Sequence, residues 1–269
     1  MKGIIASELQ RMWNKKIIFL SFIALPIISI LSAKYYLGHN LKVDVLNPQY
    51  TSFGNFPAAA IQEQLMTVFN IIVVLITVFT VNYEYRNGQM RMVLLHSKDI
   101  NKIFWGKFIS ILVTLFIFIT FYYISSLIVG YITLPKLKEV SIFFHSKGFS
   151  IREALIYSLK YYGIALITLC TMASVITFLS IISKTTTTAL GTSVGFIVAS
   201  LIYAQFFQVF QYNYKMSFLS LTQIQYQGIA ILLSQSPMLI GLMSIILIAY
   251  NIIFITLSYI IFTKRDYLY

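Results

Sequence analysis

The sequence predicts an all-α, polytopic membrane protein with six transmembrane helices and an N-terminal amphipathic helix at the membrane surface. The 269 residues are 58% hydrophobic and only 10% charged, and the mean hydropathy is +0.81. An average soluble domain carries about 25% charged residues, so this chain has too little charge to cover a soluble globule. Disorder is excluded as well, because it requires low hydrophobicity.

The excess of basic residues is typical of membrane edges. The chain has 20 Lys and Arg against 8 Asp and Glu, a formal charge of +12. Basic residues collect where helices leave the membrane and near anionic headgroups. No zinc-finger spacing or RNA-binding signature accompanies them, so we expect membrane lipids as partners and no nucleic acid.

Residues 1–16 are predicted to form an amphipathic interfacial helix. Its apolar side chains share one face of a helical wheel: Ile5, Leu9, Met12 and Trp13. Glu8 and Arg11 fall on the opposite, polar face. Such a helix lies in the plane of the interface. A plain polar leader before the first span is the alternative.

Six apolar segments are long enough to cross a membrane, which takes about 20 helical residues. They lie at residues 17–37, 64–83, 108–134, 161–183, 188–211 and 237–262. An even number places both termini on one side, and with the termini inside the majority of Lys and Arg falls in cytosolic segments. We therefore expect one multi-pass domain, residues 1–269, in a bacterial plasma membrane with both termini cytosolic.

Two connecting segments are predicted to be ordered. Residues 84–107 hold the densest charge in the chain, with apolar residues at helical spacing, which indicates an amphipathic cytosolic hairpin that turns at Gly88. Residues 217–236 are uncharged and half apolar. That composition favours an external re-entrant segment over a solvated loop.

Enzymatic chemistry is not expected in this chain. Its three histidines are far apart, and no metal-ligand spacing or hydrolase motif is present. The Gly106-Lys107 pair lacks the rest of a phosphate loop. The charge-free cores of the spans offer only Asn and Gln as strong polar groups, whereas carriers driven by an ion gradient usually keep an ionised group there.

The hairpin carries a set of residues in a recognisable order. It runs Glu84-x-Arg86-x-Gly88-x-x-Arg91, continues with Ser97-Lys98 and enters the third span at Gly106-Lys107. With the amphipathic start, the six spans and the ending Phe262-Thr263-Lys264-Arg265-Asp266-Tyr267, this order resembles the ABC-2-type permeases, which are membrane subunits of ABC transporters.

The resemblance implies that a separate cytosolic ABC ATPase drives the chain and that ATP and magnesium are held by that partner, so no cofactor is expected here. It implies an N-terminal elbow helix and a second permease subunit, in a homo- or heterodimer. The residues implied to couple to the ATPase are Glu84, Arg86, Gly88, Arg91, Ser97 and Lys98. The residues implied to face the translocation pathway at the dimer interface are Asn70, Val74, Thr77, Gln205 and Gln208.

The expected function is that of an exporter permease for a hydrophobic or amphipathic cargo, such as an antimicrobial or cytolytic peptide, a drug or a lipid-linked molecule. The alternative is a non-transporting membrane anchor or sensor for an ATPase in immunity or signalling. The hairpin charges have a plain alternative as positive-inside residues, and Gln205 and Gln208 as interhelical hydrogen-bond partners. An exposed ion pair contributes only ~0.2–1 kcal/mol, so loss of Glu84 is expected to impair coupling without unfolding the protein.

Overall fold

The computed structural model describes residues 1–45, 47, 49–86, 99–142, 145, 148–209, 214–234 and 237–264. Within these residues six helices are long and apolar enough to cross a membrane, which confirms the all-α, multi-pass class. We number them first to sixth span: Lys16–Asn40, Phe56–Tyr85, Ile100–Thr133, Ile151–Ile182, Thr186–Phe207 and Leu239–Lys264.

The connecting elements are short. The N-terminal helix, Lys2–Trp13, precedes the first span. The second span combines helix Phe56–Gln64, a π-helical turn over Leu65–Phe69 and helix Asn70–Arg86. An antiparallel pair of two-residue strands, Glu139–Val140 and Phe149–Ser150, lies between the third and fourth spans. The helices of the fifth and sixth spans run over Thr186–Val209 and Pro237–Lys264.

Several helices run beyond the predicted limits. The helix of the third span begins at Ile100, where the Asp99 side chain accepts hydrogen bonds from the backbone amides of Asn101 and Lys102. Residues 100–107 of the predicted hairpin are therefore the first two turns of this helix. The helix of the fourth span begins at Ile151, behind a capping box of Ser150 and Glu153. Both helices thus begin before the predicted starts of their apolar spans, 108 and 161, because a charged residue interrupts an apolar run without ending the helix; the membrane limits of the spans stay a prediction.

The fourth span is the centre of the bundle. It packs against the second, third, fifth and sixth spans, and 67% of its most apolar window is buried, against 17% for the fifth and sixth spans. Its small polar side chains repeat every three residues and wind around the helix, and all are buried: Thr168, Thr171, Ser174, Thr177, Ser180 and Ser183. Small side chains on every face allow neighbouring helices to pack closely.

Residues 214–234, the distal segment, follow the fifth span. They form short helices over Tyr214–Ser217, Leu221–Gln223 and Ile229–Leu233, with a π-helical turn over Ile224–Gly228. Much of this segment is buried against the fourth and fifth spans and the π-helical turn of the second. Its depth relative to a membrane, which the re-entrant interpretation of 217–236 specifies, stays a prediction.

The six spans alternate in direction, so the bundle has two ends. The N-terminal end carries the N-terminal helix, residues 84–86, the start of the third span and Lys264. The distal end carries the strand pair and the distal segment. The candidate sites lie one at each end.

Candidate functional site

A group of charged side chains, three of them buried and two partly exposed, joins three elements at the N-terminal end. We call it the ionic cluster, and it consists of Glu8, Arg11, Lys15, Glu84 and Lys107. The first three belong to the N-terminal helix and the link after it, and the others to the second and third spans. It thus connects the N-terminal helix to the two spans that flank residues 87–98.

Lys107 is the centre of the cluster. Its Nζ lies 3.0 Å from Glu8 Oε2, donates to the Glu84 carboxylate and reaches the Thr80 carbonyl oxygen at 3.3 Å. An ammonium has three protons to donate, so all are used. Its side chain is only 4% exposed. A cation so far from water is stable only because two carboxylates surround it.

Glu84 is the carboxylate that the most cations share. Besides Lys107, its oxygens lie 2.7 Å from Lys15 Nζ and 3.8 Å from Arg11 Nη1. Lys15 also donates to the Phe79 carbonyl oxygen at 2.7 Å. Burial lowers the pKa of the Lys15 ammonium, and the adjacent carboxylate of Glu84 opposes that shift. Arg11 pairs with Glu8 as well, so three cations meet two carboxylates.

The N-terminal helix comes close to the third span because Gly106 has no side chain. A Cβ at Gly106 would lie 2.7 Å from Ile4 Cγ2, closer than side-chain carbons normally approach. Farther along, Met12 is fully buried, and Trp13 Nε1 donates to Thr114 Oγ1 at 3.2 Å. The helix packs on the protein by this face, and it also buries Glu8, which helical periodicity had placed on the polar face.

The predicted coupling residues have different outcomes. Glu84 is 1% exposed, so its description as an exposed residue of the hairpin is wrong, and its loss is expected to destabilise the fold. Gly88, Arg91, Ser97 and Lys98 lie outside the described residues. Arg86 is the last residue of the second-span helix. A strong effect of a Glu84 variant would therefore not by itself indicate coupling.

The predicted pathway residues of the second span lie inside the bundle. Asn70, Val74 and Thr77 are at most 1% exposed, so in this structure they contact neither an open pathway nor a partner. Asn70 exchanges two hydrogen bonds with Gln225 of the distal segment, at 2.6 and 3.0 Å. This pair fixes the distal segment to the second span.

The predicted residues of the fifth span differ from those of the second. Gln205 is exposed on that helix, and Gln208 also belongs to it. The exposure of Gln205 leaves both alternatives, a residue that faces a pathway or an interhelical hydrogen-bond partner, as predictions.

Sequence reasoning missed a second polar joint near the ionic cluster. Asn82 donates to the carbonyl oxygens of Ser180 and Ser183 at 2.7 and 3.1 Å, and it accepts from Thr186 Oγ1 at 3.2 Å. It therefore fastens the end of the fourth span and the start of the fifth to the second. The sequence singled out Lys107 through the Gly106-Lys107 pair. Glu8 and Asn82 stood out only as polar residues in apolar surroundings.

Metal and disulfide chemistry have no assembled site within the part of the chain that the structure describes. No group of three or more His, Cys, Asp or Glu side chains that could hold a metal ion occurs there. The chain has one cysteine, Cys170, which is free and half-buried in the fourth span. The contacts that the structure shows in the ionic cluster are ion pairs and hydrogen bonds.

The family model described as "Protein of unknown function (DUF2705)" matches residues 26–268. The match includes all of the second to sixth spans and most of the first, but it begins after the N-terminal helix, and so after Glu8, Arg11 and Lys15. A comparison with curated proteins found no match.

Proposed function

The chain belongs to the DUF2705 family of unknown function, and we propose that it is the permease subunit of an ABC exporter. In this proposal a separate cytosolic ATPase binds at residues 84–107 and supplies the energy of ATP hydrolysis. The N-terminal end then faces the cytosol of a bacterial cell. The chain itself performs no catalysis and binds no cofactor.

The observation that carries the proposal is the ionic cluster. Residues 87–98 connect the second span to the third, and both helices meet the N-terminal helix and the link after it in the cluster, through Glu84 before that connection and Lys107 after it. Separating buried ion pairs is costly. A partner that pushes on residues 87–98 would therefore move the N-terminal helix and both spans together instead of bending one helix end.

A displacement of the second span can be transmitted to other helices of the bundle. The second span packs against the fourth and fifth spans, and Asn82 fastens it to both near the N-terminal end. Displacing the second span would carry these helices with it. This is the transmission that alternating access requires when the energy source is a separate subunit.

The fifth and sixth spans supply a surface for a second permease subunit. Only 17% of each apolar window is buried within one chain, and the fifth span presents Gln205 on its exposed surface. We propose pairing through the fifth span, without direct participation of Asn70, Val74 and Thr77. The exposed apolar surface suits a hydrophobic or amphipathic cargo, such as a peptide, a drug or a lipid-linked molecule.

Site-specific cross-linking tests the ATPase contact. On a Cys170→Ser background, a cysteine at Ser97 carries a thiol-reactive photo-cross-linker, and one at exposed Lys42 beyond the distal end of the first span is the matched control. After illumination of native membranes, we expect mass spectrometry to find an ABC ATPase on the Ser97 position and none at Lys42. No ATPase at Ser97, or equal capture at both positions, would overturn the proposal.

A transport measurement separates the exporter from a non-transporting anchor or sensor. Inside-out vesicles that contain the chain and the ATPase captured at Ser97 are prepared without and with cross-linking, and both are supplied with ATP and a panel of fluorescent amphipathic peptides and dyes. ATP-dependent accumulation that is lost in the Ser97-cross-linked state supports export. Stoichiometric ATPase binding without accumulation of any probe would favour the anchor or sensor.

A further inference from the structure

A cavity of about 380 Å³ opens at the distal end of the bundle. It lies between the end of the first span, the start of the second, the residue stretch between them, the first turns of the fourth span and the distal segment. We propose that this cavity binds a small organic cation of the hydroxyalkyl-ammonium class. The proposal does not depend on an ATPase or on transport.

The wall of the cavity is aromatic. Five tyrosines line it: Tyr35, Tyr36, Tyr157, Tyr161 and Tyr226. The face of an aromatic ring carries a partial negative charge and attracts a cation within about 6 Å, most strongly where water is excluded. Several such rings around one cavity form the kind of cage that recognises substituted ammonium groups.

The described residues that line the cavity include a negative charge, which is the sign that attracts a cation. Glu63 is the one carboxylate among the described lining residues, and no Lys or Arg is among them. This is unexpected for a chain with a formal charge of +12, in which 20 Lys and Arg stand against 8 Asp and Glu. An anionic ligand would find no Lys or Arg partner among the described residues of this wall.

Two residues that line the cavity carry a buried polar atom with no hydrogen-bond partner among the residues that the structure describes. The atoms are Tyr161 Oη and His39 Nδ1, and the Tyr161 side chain is almost completely buried. A buried polar group without a partner costs about 1–3 kcal/mol, so such groups are normally satisfied. A ligand that carries a hydroxyl beside its cationic group would supply the missing partner. For this reason we assign the hydroxyalkyl-ammonium class and not a plain hydrophobic cation.

The wall is held in shape by its own polar contacts. Asn40 and Thr51 exchange two hydrogen bonds, at 2.6 and 2.9 Å. Asn55 donates to the carbonyl oxygens of Tyr50 and Ser141, which ties the stretch before the second span to the residue that follows the first strand. A cavity formed in advance loses less free energy on binding than one that must first be ordered.

Binding measurements with choline test the proposal. The purified full chain in phosphatidylglycerol nanodiscs, which contain no ammonium lipid, is titrated with choline and with its neutral isostere 3,3-dimethylbutan-1-ol. We expect the isostere to bind at least 10-fold more weakly. Glu63→Gln should weaken choline binding about 10-fold, whereas Asp44→Asn, at an exposed carboxylate of the same end, should leave it unchanged.

A second variant tests the hydroxyl partner separately. Tyr161→Phe should weaken choline binding several-fold and leave binding of tetramethylammonium, which has no hydroxyl, unchanged. Retention of the wild-type thermal unfolding midpoint by Glu63→Gln, an exposed position, shows that its effect is on binding. Equal binding of choline and the isostere, or equal effects of the Glu63 and Asp44 variants, would overturn the proposal.

The same chemistry is present in a soluble amine and in a lipid headgroup, and a competition arm distinguishes the two sources. Phosphatidylcholine or phosphatidylethanolamine replaces part of the nanodisc lipid. If soluble choline binding then falls in proportion to that lipid, the resident ligand is a headgroup; if binding is unaffected, it is a soluble amine. No binding of choline and no effect of these lipids would refute the assignment.

Discussion

Removal of the Lys107 ammonium is the sharpest test of the ionic cluster. In Lys107→Met the side chain keeps a similar length but loses its charge and its three donated hydrogen bonds. The side chains of Glu8 and Glu84, at most 1% exposed, then lose their common counterion. Both keep another cation, because Glu8 pairs with Arg11 and Glu84 with Lys15.

The size of the effect follows from burial. Removing one partner of a buried ion pair costs about 3–5 kcal/mol. Because both carboxylates retain a cation, we expect a loss at the lower end, ~3 kcal/mol. A factor of ten in an equilibrium constant corresponds to about 1.4 kcal/mol, so the unfolding equilibrium should shift by roughly 150-fold.

The assay uses the two tryptophans of the chain, Trp13 and Trp105. One lies on the N-terminal helix and the other in the first turns of the third span, so their fluorescence reports the separation of these elements. Unfolding is followed by titration with a denaturing detergent in mixed micelles. Lys102→Met is the matched control: the same substitution on the same helix removes an exposed pair with Asp99, and we expect an unchanged midpoint.

The result that would refute the reasoning is a small, equal change for the Lys107 and Lys102 variants. A double-mutant cycle of Lys107→Met and Glu84→Gln provides a further check, because it isolates the interaction between the two charges. Additive effects of the two substitutions would show that packing, and not charge, governs this site.

The remaining predictions concern packing at three joints. Gly106→Ala should lower the thermal unfolding midpoint because its Cβ would meet the N-terminal helix, whereas Gly163→Ala, with no neighbour within 4 Å, should not; equal midpoints would contradict the close approach. A double-mutant cycle of Asn70→Leu and Gln225→Leu should give a coupling of ~0.6–2 kcal/mol in detergent unfolding, and additive effects would contradict the pair. Asn82→Ala should cost ~1–3 kcal/mol by leaving its buried partners unsatisfied, and a neutral effect in the same assay would show that this joint is dispensable.

Periodicity and hydropathy alone predicted the class of the protein. Six long apolar segments must be helices that satisfy their own backbone, because a membrane interior offers no other partner. The number of spans and their order needed no tertiary information. The first and last residues of each helix could be read only from the tertiary structure, because a charged residue ends an apolar run in the sequence whether or not the helix continues.

Glu84 and Lys107 illustrate what only the tertiary structure decided. In the sequence they mark the borders of a charged hairpin, and in the fold they lie inside two helices and neutralise each other. Glu8 joins them from 99 residues away from Lys107. The cavity lined by Glu63 and Tyr161 likewise combines distant parts of the chain. Hydropathy records the cost of removing each group from water, whereas the partner that offsets this cost exists only once the helices have packed.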